Sequence, residues 1–100
     1  MSRHGVADDA FVPRVRPEAP SVELDGQVVV YDPVRDELLT LNDTASVVWS
    51  CCDGSGTVGE IVADLAEAYA AEVPEIRKDV VALLQEWGGR GLLEGVEPSP

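Results

Sequence analysis

The apolar residues of this chain change their spacing once, close to Asn42. Before that point the chain carries short runs rich in β-branched residues, such as Gln27 to Asp32, which are typical of strands. After it the apolar residues recur three and four positions apart, which is the period of an amphipathic helix. Because helices that follow a group of strands usually cover one face of an antiparallel sheet, the sequence predicts an α+β fold.

The length and composition fit a single folded domain. One hundred residues can bury one hydrophobic core, and apolar residues form 45% of the chain. No apolar run is long enough to span a membrane, and the segment Met1 to Gly5 lacks the apolar stretch of a secretory signal. We therefore expect a cytoplasmic location, no membrane partner and a monomeric protein.

Two strands of the sheet are predicted to form a hairpin. Asp25 and Gly26 are a turn signal ahead of the strand Gln27 to Asp32. Pro33 fixes the backbone at the corner that follows, and Glu37 to Leu41 forms the next strand. Because a lone hairpin is only marginally stable, we expect it to pair with a further short strand.

We place that further strand at positions 11–16, inside an otherwise flexible N-terminal segment, residues 1–20. Prolines interrupt this segment, which is typical of a mobile terminus. Phe11 and Val15 are its candidate core residues. The predicted sheet therefore has three antiparallel strands.

Three helices are predicted after the sheet. The first is capped by Asn42 or Asp43 and runs to about Cys52. The second opens at Thr57, where a glutamate three residues later completes the pattern of a capping box. The third begins near Val73, with a proline in its first turn. Their apolar stripes are Ala45, Val48, Trp49 and Cys52; Val58, Ile61, Val62, Leu65, Ala66 and Tyr69; and Ile76, Val80, Leu83, Leu84 and Trp87.

The sequence lacks the residue patterns of a catalytic or metal site. His4 is the single histidine and lies in the N-terminal segment, so the domain has no histidine general base. It also has no glycine-rich phosphate loop and no nucleophile elbow. Cys51 and Cys52 are adjacent, which disfavours a disulfide between them, and no further ligand group accompanies them. We therefore predict a protein without catalysis, cofactor or metal, whose cysteines are small helix residues in a reducing compartment.

The chain is strongly acidic. Its formal net charge is −12, from 19 acidic and 7 basic residues. Such a charge repels nucleic acid phosphates and anionic membranes, and it favours a basic or apolar partner. A role in solubility alone is an equally simple interpretation of the charge.

The strand Glu37 to Leu41 is a candidate binding edge. Leu39 and Leu41 share one face while Leu38 and Thr40 share the other, and one leucine face suffices for the core. As the last strand of the sheet it is expected at an edge, where open backbone groups capture extended peptides. A covered edge without a partner is the alternative.

The predicted third helix offers a second candidate surface. Arg77 and Val81 lie at the margin of its apolar stripe, with Lys78 further round the helix. This flank could line a groove for an amphipathic peptide, and its basic residues would then meet acidic peptide residues. A solvated flank without a partner is the alternative.

A series of short segments runs through the chain in a characteristic order and spacing. The segments are Val29–Pro33, Leu39–Ala45, Val48–Trp49, Asp53–Gly54, Thr57–Ile61, Asp79–Leu84 and Gly91–Leu93. Together they resemble the PqqD family, over about residues 22–94. We therefore take residues 21–94 as the folded domain and expect residues 95–100 to form a disordered tail.

The resemblance implies a winged-helix-like fold, with a three-stranded antiparallel sheet followed by three α-helices. Members of the PqqD family are peptide chaperones, or recognition elements, for ribosomally made and post-translationally modified peptides. They bind the leader of the precursor peptide and present it to a radical SAM enzyme, a cyclase or a leader peptidase. The leader commonly adds as a strand to the third strand, beside the third helix. In this chain the implied contact residues are Glu37, Leu38, Leu39, Thr40, Leu41, Arg77, Lys78, Val81 and Leu84.

Two other functions stay open on the sequence alone. A winged-helix DNA-binding regulator has a similar helical arrangement, but its third helix should carry several basic or amide side chains. In this chain three acidic residues offset the basic and amide side chains of the third helix, and the net charge of −12 opposes binding to nucleic acid. The side chains compared are Arg77, Lys78, Gln85 and Arg90 against Glu75, Asp79 and Glu86. The other alternative is a regulatory subunit that contacts only a larger protein.

Overall fold

The computed structural model describes residues 8–96. Its three strands precede its three helices in the chain, which confirms the predicted order. The elements are β1 (Ser21–Leu24), β2 (Gln27–Asp32), β3 (Glu37–Thr40), α1 (Asp43–Cys51), α2 (Val58–Ala68) and α3 (Val73–Gly89).

The sheet is antiparallel, with β2 in the centre and β1 and β3 at its two edges. Val30 on β2 is fully buried and pairs with Leu39 on β3, so both side chains face the core. Because side chains alternate along a strand, Val29 and its partners Val22 and Thr40 lie on the opposite face. The predicted edge position of β3 is therefore confirmed.

The turn predicted at Asp25 and Gly26 joins β1 to β2. Both residues have positive φ, 54° and 81°, as in the two-residue turns that match the twist of hairpin strands. At the next corner the carboxylate of Asp32 accepts hydrogen bonds from the backbone N–H groups of Val34 and Arg35, at 3.0 and 3.2 Å. These two turns set the register of β2 with each of its neighbours.

The core lies between the inner face of the sheet and the three helices. Trp49 from α1 and Trp87 from α3 meet edge to face, with ring centroids 5.1 Å apart and planes at 88°. Every residue predicted on the helical stripes is buried or packs against the core except Tyr69, which is 47% exposed. The reason is that α2 ends at Ala68 and the chain turns at Ala70, where φ is 51°.

The helix caps predicted from the sequence are present. At the start of α1 the side chain of Asn42 accepts a hydrogen bond from the N–H of Ala45, at 2.8 Å. At the start of α2 Thr57 and Glu60 form a reciprocal capping box, with bonds of 3.1 and 2.9 Å. Local side-chain chemistry therefore fixes where these two helices begin.

The first strand lies later in the chain than the sequence prediction placed it. The segment assigned to it forms two isolated bridges, Arg14 with Asp53 and Val15 with Leu93, and β1 starts at Ser21. The physical reason is the tight turn before β2. A strand joined to β2 through two residues pairs with it at lower entropic cost than a more distant segment does.

Residues 9–16 lie across the ends of the helices. The N–H of Val15 donates to the C=O of Cys52 at 3.0 Å, and the N–H of Arg16 donates to the C=O of Leu92 at 2.8 Å. This segment therefore connects the end of α1 with the chain that follows α3. It acts as a clasp, and residues 9–16 are called the N-terminal clasp below.

The N-terminal clasp contributes to the core. Pro13 is fully buried, and Phe11 packs against the core cluster, as the sequence predicted for Phe11. The predicted flexible segment, residues 1–20, and the predicted disordered tail, residues 95–100, fall partly outside the described residues, at positions 1–7 and 97–100. Within the described part of the tail, Val96 packs against the core and its C=O accepts a hydrogen bond from Arg16 at 3.3 Å.

Candidate functional site

The outer edge of β3 carries open backbone groups. The N–H of Leu41 donates to β2 at 2.8 Å, which fixes the phase of the hydrogen bonds along this pair of strands. Because bonded and non-bonded pairs alternate, Leu39 and Glu37 also direct their backbone groups to β2. Leu38 and Thr40 direct theirs away from the sheet. Each of these two residues therefore offers a donor and an acceptor to an added strand.

A groove of about 320 Å³ lies between β3 and α3, and it is called the β3–α3 groove below. Leu38, which is 71% exposed, lies on its strand side, and Leu83 and Glu86 line its helix side. A further cavity of about 340 Å³ shares Leu83 and extends the groove toward Asp79. The lining thus combines leucine side chains with the carboxylates of Glu86 and Asp79 on α3. The groove residues are Leu38, Leu39, Thr40, Leu41, Asn42, Ala45, Leu83, Glu86 and Trp87.

Arg90 lies at one end of the β3–α3 groove. Its guanidinium is 3.4 Å from the Glu37 carboxylate on β3 and 3.5 Å from the Glu86 carboxylate on α3. It is also 3.5 Å from the fully buried carboxylate of Asp32, which Arg35 approaches to 3.4 Å. This network holds the start of β3 against the end of α3 and so limits the width of the groove there.

The buried Asp32 is ionised at neutral pH. Burial by itself raises the pKa of Asp32, because a carboxylate loses hydration. The hydrogen bonds from the backbone N–H groups of Arg35 and Val34, with the Arg35 guanidinium, outweigh that effect and hold the pKa of Asp32 below its usual 3.8. Arg35 and Arg90 therefore face a fixed negative charge.

Ser46 on α1 fixes the other end of β3. Its hydroxyl accepts a hydrogen bond from the N–H of Val28 at 3.0 Å and donates to the C=O of Leu41 at 3.3 Å. This buried side chain bridges β2, the residue after β3, and α1. Both ends of the β3 edge are thus held by buried polar side chains.

The flank of α3 that the sequence suggested for binding lies on a different surface from β3. Arg77, Lys78 and Val81 line another cavity of about 410 Å³, which shares no residue with the β3–α3 groove and shares Ala82 with the cavity that extends it. Arg77 also pairs with Asp9 of the N-terminal clasp. The structure therefore does not bring the two halves of the predicted site together.

Leu84 lies in the core, as its place on the apolar stripe predicted, and not on the binding surface where the family resemblance placed it. Its side chain is fully buried, so it presents no surface to a bound peptide. Leu83 and Glu86, which the predicted site omitted, line the groove in its place. The position of Leu83 at the edge of the apolar stripe was the one sequence signal for this wall. The stripe alone does not say which of its two margins meets β3.

The described residues hold two cysteines and no group of metal ligands. Among residues 8–96, no three His, Cys, Asp or Glu side chains are grouped so that they could hold a metal ion. Both cysteines are free; burial raises the pKa of Cys51 and raises that of Cys52 to about 12, so both are thiols at neutral pH. Within the same range no helix is long and apolar enough to cross a bilayer.

Sequence comparison places the chain among known proteins. Residues 27–93 match the family model for coenzyme PQQ synthesis protein D, PqqD. The chain is 38% identical over 73 residues to the PqqA binding protein of Rhodopseudomonas palustris (strain BisB5), which covers 72% of this chain and 70% of that protein. It is 36% identical over 72 residues to the PqqA binding protein of Rhizobium meliloti (strain 1021), with coverages of 72% and 71%.

Solved structures share the fold. One is the NMR structure of the PqqD truncation of Methylobacterium extorquens PqqCD, a stand-alone recognition element for ribosomally synthesised and post-translationally modified peptides. It has a TM-score of 0.70 at 26% identity, and the match covers 86% of this chain and 96% of that one. TbiB1 in complex with the TbiA(beta) leader peptide has a TM-score of 0.75 at 23% identity, with coverages of 82% and 95%, and shows the likeness of fold alone. Since the family model spans β2, β3 and all three helices, the chain belongs to the PqqD family.

Proposed function

We propose that this chain is a recognition element that binds the leader of a ribosomally synthesised precursor peptide in the β3–α3 groove. One observation carries the proposal: β3 is an open edge whose Leu38 and Thr40 backbone groups lie beside a groove lined by leucines and by Glu86. A peptide that adds as a strand there gains hydrogen bonds along the edge and places alternate side chains between β3 and α3.

The relatives support this proposal. Proteins whose name states that they bind PqqA are 36–38% identical to this chain over most of its length. The Methylobacterium extorquens relative is itself described as a peptide recognition element. A precursor of the PqqA type is therefore the first candidate ligand.

The charge of the groove predicts the character of the leader. Asp79 and Glu86 lie along the α3 wall, and the basic Arg90 at the end is already paired with carboxylates. A leader that presents basic or neutral residues to α3 is favoured, since acidic residues meet like charge there. This preference is opposite to the one that Arg77 and Lys78 would impose, because those two residues line the other cavity.

The proposed role is binding without catalysis. Both thiols are protonated at neutral pH, and Cys52 is 1% exposed, so neither supplies a ready nucleophile. The chain would hold the leader while a separate enzyme, such as a radical SAM protein, a cyclase or a leader peptidase, modifies the rest of the precursor. The acidic wall of α3 and the net charge of −12 disfavour the DNA-binding alternative.

The test is a titration of labelled PqqA from Rhodopseudomonas palustris into the purified chain and its variants. We expect saturable binding to the unaltered chain, weakened about tenfold by Leu38→Pro and by Thr40→Pro, because each proline removes one outward donor. Neither amide bonds to β2, so both variants should fold, since edge strands tolerate proline at such positions. Glu23→Pro on the other edge strand is the matched control and should keep the affinity.

Two outcomes would count against the proposal. If both proline variants have the circular dichroism and the affinity of the unaltered chain, then the peptide does not add to β3. If the unaltered chain does not bind PqqA at all, recognition of a PqqA-type leader is refuted.

A further inference from the structure

The strand β1 is a second open edge, on the far side of the sheet from β3. Leu24 and Gln27 flank the two-residue turn and therefore form a hydrogen-bonded pair. Hydrogen-bonded and non-bonded pairs alternate along the two strands from that point. A bond of 2.9 Å from the N–H of Tyr31 to the C=O of Pro20 agrees with this register. Ser21 and Glu23 therefore direct their backbone N–H and C=O groups away from the sheet.

A cavity of about 760 Å³ lies between β1 and α1, and it is called the β1–α1 cavity below. Val28 and Trp49 give it an apolar lining, and Val47 on α1 is 38% exposed beside it. The indole N–H of Trp49 donates to the hydroxyl of Ser21 at 3.2 Å, so the edge strand is held at the cavity. An open strand edge thus runs beside an apolar depression on this side of the sheet as well.

The rim of the β1–α1 cavity is acidic. Glu23, Asp43 and Asp53 line it, and Arg14 is the one basic residue that does so. Arg14 lies 4.0 Å from the Glu94 carboxylate, whereas Glu23 and Asp43 are exposed and make no ion pair within residues 8–96. Basic groups of a partner would therefore find unpaired carboxylates at this rim.

The surroundings of β1 also favour an apolar partner. Val22 and Leu24 are 57% and 58% exposed on the outer face of the sheet. A strand added to β1 would cover part of both side chains, and its other face would enter the cavity. A second copy of this chain is a poor occupant, because two bodies of charge −12 repel each other.

We propose that the β1–α1 cavity is a docking site for an extended, basic and apolar segment of a partner protein, which adds as a strand to β1. The cavity and the β3–α3 groove share no lining residue, so both edges of the sheet can be occupied at once. The chain would then join two extended segments, one on each edge of one small sheet.

The test uses a short synthetic peptide of alternating lysine and valine, titrated into the isotopically labelled full-length chain and followed by amide chemical shifts. We expect saturable binding with the largest shifts at Ser21, Glu23 and Asp43, whether or not a peptide occupies β3. The double variant Glu23→Lys/Asp43→Lys should weaken this binding about tenfold. Both residues are exposed and unpaired among the described residues, so the variant should fold.

Two controls separate strand addition from simple charge attraction. A peptide of the same composition, with all its lysines ahead of its valines, should bind more weakly because it cannot present one face to the cavity. The double variant Glu18→Lys/Glu67→Lys changes the net charge equally at exposed positions away from the cavity, and it should keep the affinity.

The proposal is overturned if the alternating peptide does not bind, or if its shifts are confined to Leu38 and Thr40. It is also overturned if both charge-reversal variants lose affinity equally, since net charge alone would then account for the binding. None of these outcomes depends on whether PqqA binds to β3, so the two proposals can fail independently.

Discussion

At the scale of single residues, two buried polar side chains fix the two ends of β3. Asp32 binds the two arginines at the start of the strand, and Ser46 connects its end to β2 and α1. A buried polar group is costly unless its hydrogen bonds are made, so each residue is tied to one geometry. These two residues hold the edge that the proposed ligand uses.

Replacing Ser46 with alanine should destabilise the chain by about 1–3 kcal/mol, because the Val28 N–H and the Leu41 C=O lose their partner. Ser50→Ala is the matched control. The Ser50 hydroxyl donates to the C=O of Ser46 from an exposed position on the same helix, so its loss should cost about 0.5 kcal/mol or less. Urea unfolding measures both, and equal costs would contradict the role given to Ser46.

The pKa of Asp32 predicts how stability depends on pH. Because the folded-state pKa of Asp32 is lowered, its ionised form contributes stability above the usual value of 3.8, and that contribution is lost as the pH falls through the lowered value. We expect Asp32→Asn to be less stable than the unaltered chain at neutral pH, with a difference that narrows below about pH 4. Melting temperatures between neutral and acidic pH measure this, and a constant difference would contradict it.

At the scale of elements, α3 presents two different surfaces on either side of its buried stripe. One flank, with Asp79, Leu83 and Glu86, faces the side of β3, while the other, with Arg77 and Val81, does not. The helix therefore has an acidic flank at the groove and a basic flank away from it. In the proposed complex the leader peptide contacts only the acidic flank.

Opposite charge reversals on the two flanks of α3 should therefore have unequal effects on leader binding. Glu86→Lys places a cation on the groove wall, where the proposed leader presents basic or neutral residues, and should weaken the binding of PqqA about threefold or more. Lys78→Glu changes an exposed residue that lines the other cavity, and it should leave the affinity within error. Titration of labelled PqqA into both variants measures these effects. A larger effect of Lys78→Glu would place the binding site on the basic flank of α3.

At the scale of the whole molecule, the N-terminal clasp joins segments that are distant in the sequence. Its backbone groups bond to the end of α1, the loop before α2, the start of α2 and the chain after α3. The guanidinium of Arg14 also covers Gly54, where a Cβ atom would come within 2.6 Å of its central carbon. The clasp is thus part of the fold, although it precedes the residues that match the family model.

Deleting residues 1–16 should lower the stability of the chain by about 3 kcal/mol or more, since it removes the buried Pro13 and the six backbone hydrogen bonds that join the clasp to the segments at the helix ends. The variant Val12→Ala is a control inside the clasp, because Val12 is 43% exposed. Urea unfolding of both variants measures the effect. A deletion variant as stable as the unaltered chain would show that the clasp contributes no net free energy.

Local sequence signals determined much of this fold. The turn at Asp25 and Gly26, the cap at Asn42 and the capping box at Thr57 each depend on chemistry within a few residues, and all three are present. The helical stripes follow from a periodicity that burial imposes on any amphipathic helix. The edge position of β3 followed from its place at the end of the strand series.

Contacts between distant segments were decided only by the tertiary structure. The sequence predicted a strand at residues 11–16. In the structure the segment that pairs with this edge of β2 is β1, which lies next to the tight turn and so pairs at a lower entropic cost. The periodicity predicted which residues of α3 form its buried stripe, but not which margin of that stripe lies beside β3. The rotation of a helix about its axis against a particular neighbour depends on how the whole core packs. Leu84 was predicted both on the buried stripe and as a contact residue, and only the packed core shows that it is fully buried. The Arg90 network, which reaches Asp32 across 58 positions of chain, left no local pattern.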